Sequence, residues 1–125
     1  MRVAALADVH GNAAALEAVL AELEREQPDL IVSCGDLTWG PQPRETVVLL
    51  EPWRELTRFV RGNSERELLE RKLADSEVAR WEWEQHDSAE LLDYVNSTRP
   101  QVTIDVDGLG PTLFATARPG ATKSA

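Results

Sequence analysis

A single cysteine, Cys34, stands in 125 residues, so no internal disulfide can staple this chain and a reducing compartment is implied. Basic residues are also scarce: 13 Lys plus Arg face 22 Asp plus Glu, a net charge of -9. That deficit argues against a broad footprint on a nucleic-acid backbone, which needs a basic patch. It leaves room for a local cationic site, because bound metal ions add charge that residue counts omit. No apolar run approaches a membrane span, and the apolar start is interrupted at Asp8 and His10 before a secretory h-region forms. A cytoplasmic protein with no membrane partner is expected. The absence of a Gly-rich phosphate loop and its lysine sets aside a P-loop nucleotide-binding domain. No internal repeat or low-complexity linker divides the chain, and its length suits one domain at most.

What is present begins with a continuous apolar run over residues 3–7, the pattern of a parallel strand covered on both faces. Gly11 and Asn12 break it, and residues 13–26 carry Leu16, Val19, Leu20 and Leu23 at helical spacing. Pro28 closes that helix and residues 30–34 form a second buried run, which completes a βαβ unit with a parallel strand pair. A short helix is predicted over 45–50, broken at Pro52, and a brief third strand at Phe59 and Val60. From Ser64 to Asn96 the chain is charged and helical. Ser64 with Glu67 reads as a capping box opening a helix over 65–73, followed by helices over 77–85 and 89–96. These helices are either a specificity cap or a solvated layer. Trp81 and Trp83 cannot both face one side, so one should be exposed, and His86 reads as a surface residue. Residues 101–106 alternate like a strand, Asp107-Gly108 signals a hairpin turn, and Leu113-Phe114 continue the return.

Three segments carry chemistry: Asp8-Val9-His10-Gly11-Asn12, Gly35-Asp36 and Gly62-Asn63-Ser64-Glu65, each at the exit of a strand. Open α/β sheets bind ligands outside the carboxyl ends of their strands. Asp8 and His10 on one tight turn offer a carboxylate and an imidazole, Asp36 has Gly35 before it and space to approach, and Asn63 adds an amide oxygen. Any one of these residues alone reads as an ordinary strand-end or loop position; together they read as a metal site. The mixed oxygen and nitrogen set suits Mn, Fe, Zn or Ni rather than Ca. Two such ions, roughly 3.5–4 Å apart, lower the pKa of a bridging water and clamp an in-line phosphoryl displacement. Asn12, in the first segment, is a candidate substrate contact.

In order and spacing these motifs resemble the calcineurin-like metallophosphoesterase superfamily, and most closely its small bacterial phosphodiesterase branch. The resemblance implies a β-sandwich flanked by helices, a variety of α/β fold distinct from a simple doubly wound sheet. It implies Asp8 and His10 on a first metal, Asp36 bridging and holding the attacking hydroxide, and Asn63 on a second metal. It also implies a phosphate-ester or nucleotide substrate. Where many members have a histidine after Gly-Asn, this chain has Ser64. The family's later histidines, one at a strand end and two in a Gly-His-x-His segment, have no counterpart here; His86 is the single histidine after Asn63.

The family-like part is therefore expected to span residues 1–114 and to be incomplete at its C-terminus. Residues 115–125 read as a disordered, frameshifted tail: deleting one base from GC-rich codons for a family-like Phe-Cys-His-Gly continuation yields the residues from Phe114 to Lys123. Uncovered strands in such a chain would favour self-association. The expected function is metal-dependent phosphoester hydrolysis, weak or absent in this chain. The alternative is a non-enzymatic remnant or binding module that keeps one metal ion or none.

Overall fold

The computed structural model describes residues 1–70 and 76–116. Strands β1 (Val3–Leu6), β2 (Leu30–Ser33) and β3 (Thr57–Phe59) form a parallel sheet in that order, with β2 in the centre. The register pairs Val3 with Leu30 and Ile31 with Thr57. Helix α1 (Ala13–Glu26) is the first crossover. Helix α2 (Pro43–Leu50) and a 3-10 turn, Glu51–Leu56, form the second. Helices α3 (Asn63–Glu70), α4 (Glu77–His86) and α5 (Ala89–Ser97) precede the antiparallel hairpin of β4 (Val102–Val106) and β5 (Gly110–Phe114).

The central strand β2 is covered on both faces, which explains its unbroken run of Leu30, Ile31 and Val32, while the edge strand β1 is apolar but only partly covered. One face packs Ile31 and Leu37 against Leu16, Leu20 and Leu23 of α1, Leu50 of α2, Leu68 of α3, and Tyr94 and Val95 of α5. On the other face Val32 and Val60 meet Ile104 of β4, with Val102, Val106 and Phe114 around them. Sheet upon sheet with helices outside is the expected β-sandwich flanked by helices, here three strands facing two. The hairpin turns at Asp107, Gly108 and Leu109, where Gly108 takes a φ of 86° that glycine adopts without strain.

Helix α1 has the bounds its apolar spacing predicts, and Asn12 caps it by accepting a 3.0 Å hydrogen bond from the Ala15 N–H. Several expectations need correction. Ser64 does not cap α3: the helix begins at Asn63, Gly62 takes the Arg66 N–H, and Ser64 donates from both its N–H and hydroxyl to Asp36 Oδ1. The capping-box pattern lost to a carboxylate supplied by the loop after β2. Residues 71–73 of that expected helix and residues 117–125 of the expected tail lie outside the described residues. Of the two tryptophans, Trp83 packs against the core and Trp81 is 43% exposed.

The largest correction is His86, which is fully buried (0% exposed) rather than at the surface. Its Nδ1 lies 2.7 Å from the Glu82 carbonyl, and its Nε2 lies 2.7 Å from Thr38 Oγ1. Burial lowers the imidazole below its ordinary value, so the folded state keeps it neutral. Unfolded, the ring takes up a proton below its ordinary pKa that the folded site refuses. Stability from this group is therefore present above about pH 6.5 and is lost as pH falls below it. Urea midpoints of the native chain are expected to drop between pH 7 and 5 more steeply than those of His86→Gln. Parallel pH profiles would remove His86 as the cause.

Candidate metal centre

Asp8, His10 and Asp36 meet just beyond the C-terminal ends of β1 and β2. Their ligand atoms all lie within 4.8 Å of one another, with His10 Nε2 3.6 Å from Asp8 Oδ1. The turns that bring them together are strained: φ is 54° at Asp8, 50° at His10 and 54° at Asp36, a region that non-glycine residues rarely visit. Hydrogen bonds between the two loops hold this geometry. His10 N–H donates to the Asp36 carbonyl at 2.9 Å, Gly11 N–H to the Leu37 carbonyl at 2.8 Å, and Gln42 N–H to the Gly11 carbonyl at 3.0 Å.

Glycines let the loops approach backbone to backbone. A Cβ on Gly62 would stand 2.8 Å from the Asp36 amide nitrogen, and one on Gly40 would overlap the His10 carbonyl. At Gly40 the obstacle is backbone alone, whereas at Gly62 the Asp36 side chain would also be struck, its Oδ1 standing 2.5 Å away. Gly40→Ala is expected to cost about 2–3 kcal/mol through overpacking, read as a lowered urea midpoint. An unchanged midpoint would show that the loop yields without cost.

Asn63, the fourth expected ligand, is exposed at the first turn of α3, directly after Gly62. Its Oδ1 accepts a hydrogen bond from Arg66, so this oxygen already has a partner within the helix. Asn12 stands beside the group as the α1 cap, and with Asp8 it lines a groove of about 380 Å³ floored by Ala5, Ala7 and Ala15. Cys34 is half-buried at the end of β2. Burial pushes its thiol above the ordinary value and the negative charge of Asp8 adds to that shift, so it is not primed as a nucleophile.

Glu65 belongs to the third motif, but the sequence gives it no role. It is 0% exposed, and its carboxylate accepts from Asp36 N–H at 3.0 Å, Leu37 N–H at 3.2 Å, Gly62 N–H at 3.1 Å and the Tyr94 hydroxyl at 2.6 Å. One buried carboxylate thus ties together the second and third motifs. Burial first, and then the charge and hydrogen bond of Glu65, hold the Tyr94 phenol well above its ordinary value. Nothing local in Asn-Ser-Glu-Arg marks Glu65 as buried, because its main partners lie about thirty positions away in both directions.

Two carboxylates and an imidazole within reach of one another make a donor set that suits a borderline divalent cation. The family model for calcineurin-like phosphoesterases matches residues 1–115. The chain belongs to that family. Calcineurin-like phosphoesterases depend on divalent metals, and Asp8, His10 and Asp36 are a group able to hold one. The fold is similar to the metallophosphoesterase from Sphaerobacter thermophilus, at 36% identity and a TM-score of 0.64, over 86% of this chain and 44% of that one. It is also similar to Yfce, a phosphoesterase from E. coli, at 21% identity and a TM-score of 0.62, over 95% of this chain and 59% of that one. The second likeness supports the fold alone. No curated protein matches the chain. As a calcineurin-like phosphoesterase domain, the chain spans about half the length of these two solved relatives.

Proposed function

We propose that this chain carries the N-terminal half of a metal-dependent phosphoesterase centre, with Asp8 and His10 on a first divalent ion, Asp36 shared, and Asn63 toward a second. The convergence of the Asp8, His10 and Asp36 ligand atoms within 4.8 Å carries this reading. Divalent ions bound there would supply the Lewis acidity that activates water and offsets charge growing on phosphoryl oxygen. The protein's own part is positional. Asp36 is aimed by Ser64, whose N–H and hydroxyl donate to Oδ1 at 3.0 and 2.7 Å, and the other carboxylate oxygen remains for a metal. Asn12 is oriented by its capping bond and offers its amide to a substrate oxygen.

The substrate is a small phosphate ester or nucleotide. The net charge of -9 speaks against a nucleic-acid polymer. No helix among the described residues is long and apolar enough to cross a membrane. With Cys34 free, that supports a cytoplasmic location. Strand β1 is a sheet edge made of Val3, Ala4, Ala5 and Leu6, without charge or proline to blunt it, which supports self-association.

A second reading is a binding module that keeps a single ion. It is favoured because the second ion would have Asp36 and Asn63 as its protein ligands, while His86, the remaining histidine, is buried against Thr38. Calorimetric titration with Mn²⁺ separates the two. Near one equivalent, weakened by about 100-fold or more in His10→Ala because a ligand is lost rather than an outer-shell partner, with feeble hydrolysis of bis-p-nitrophenyl phosphate, is the expected result. Uptake of one ion with no hydrolysis favours the binding module. If His10→Ala takes up Mn²⁺ as the native chain does, the proposed ligand set is wrong.

A further inference from the structure

Behind the metal centre lies a second polar cluster that the phosphoesterase reading leaves unused. Glu82 and His86 stand one turn apart on α4, 4% and 0% exposed. The His86 ring is held on three sides, by the Glu82 carbonyl at Nδ1, by Thr38 Oγ1 at Nε2, and by Trp39 stacked at 5.8 Å between centroids. A carbonyl oxygen can only accept, so Nδ1 carries the proton. In the neutral ring Nε2 then accepts from the Thr38 hydroxyl. The Glu82 carboxylate faces the Gly40 backbone N–H, while its Oε2 is buried without a hydrogen-bond partner.

Thr38 and Gly40 form the reverse side of the loop that supports His10. A Cβ on Gly11 would stand 2.9 Å from Gly40 Cα and 3.0 Å from the Thr38 carbonyl, and one on Gly40 would overlap the His10 carbonyl. With no side chain between them to absorb a shift, the two backbones move together. Through the chain from α4 to Thr38–Gly40 to His10–Gly11, a contact made at His86 reaches the first metal ligand pair.

We propose that Glu82 and His86 are positioning residues that clamp the Thr38–Gly40 loop from behind and so hold the His10 imidazole toward Asp8 and Asp36. The proposal rests on reading that group as a metal site. Space-filling alone is the competing account, and Thr38→Val separates them because it keeps the shape and removes the hydroxyl.

The test uses the full chain as wild type, Thr38→Val, His86→Leu and His86→Gln. Thr38→Val and His86→Leu are expected to bind Mn²⁺ about tenfold more weakly, at the low end for outer-shell partners. His86→Gln should bind as wild type does, since its amide oxygen can accept from Thr38 where Nε2 did. The double variant Thr38→Val/His86→Leu should be no weaker than either single one, because both remove one interaction. Without metal, the His10 and Gly11 amide resonances should move in Thr38→Val. Folded variants that bind Mn²⁺ at the wild-type affinity, or His86→Gln as weak as His86→Leu, would overturn the clamp, as would unmoved amides. If wild type takes up no Mn²⁺ while those amides do move, the clamp on the loop stands and the metal reading fails.

Discussion

Glu65→Ala is expected to lose about 4–5 kcal/mol of stability, enough to consume most of the stability of a domain at the low end of the usual range of about 5–15 kcal/mol. The substitution strips a shared acceptor from the Asp36, Leu37 and Gly62 amides and from the Tyr94 hydroxyl, in a place with no solvent access. Each orphaned buried donor costs about 1–3 kcal/mol, and the four do not relax independently because all converge on one point. Glu65→Gln keeps the shape and one acceptor oxygen but turns an NH₂ toward donors, so an intermediate loss of about 2–3 kcal/mol is expected. Tyr94→Phe removes a single bond and should lose about 1–2 kcal/mol. Urea unfolding followed by tryptophan fluorescence and far-UV circular dichroism ranks the three. A midpoint for Glu65→Ala close to wild type would mean that the amides find other partners and that Glu65 is not the tie between motifs.

Glu65 also marks the boundary of what the sequence discloses. Where burial follows from a local period, the reading held: the apolar run of β1, the Leu16, Leu20 and Leu23 stripe of α1, and the second apolar run all became elements at the places their patterns indicate. The convergence of Asp8, His10 and Asp36 was legible for a related reason. A strand exit is a local event, and parallel pairing of β1 with β2 brings the next residues of both strands to one edge. Polar residues inside the charged helical stretch were not legible. Glu65 stood in the third motif without a role and His86 read as a surface residue, because the hydroxyls that bond them, on Tyr94 and Thr38, are 29 and 48 positions away. The same nonlocality defeated the Ser64 cap, whose carboxylate partner Asp36 lies 28 positions upstream. Local propensity was not wrong in these cases; a tertiary partner outbid it.

Asp36→Asn should abolish Mn²⁺-dependent hydrolysis of bis-p-nitrophenyl phosphate and weaken metal binding by at least about 100-fold, while leaving the metal-free fold within about 1 kcal/mol of wild type. The reasons for both halves are geometric. Asparagine matches aspartate in shape, its Oδ1 can keep the bonds from the Ser64 N–H and hydroxyl, and it tolerates the left-handed φ of 54° at this position at least as well. What disappears is the negative charge at the position proposed to be shared between ions. A unit charge about 4 Å from a dication at an effective dielectric of about 20 is worth several kcal/mol, and 100-fold in affinity corresponds to about 2.7 kcal/mol, so the expected loss is a lower bound. Calorimetry with Mn²⁺ and the phosphodiester assay measure one half, and urea unfolding without metal measures the other. Loss of binding together with loss of fold would make Asp36 a structural strand-end residue. Intact folding with intact binding would remove it from the centre. The combination of an unchanged fold and a vanished metal response is specific to a ligand, because the substitution alters charge and almost nothing else.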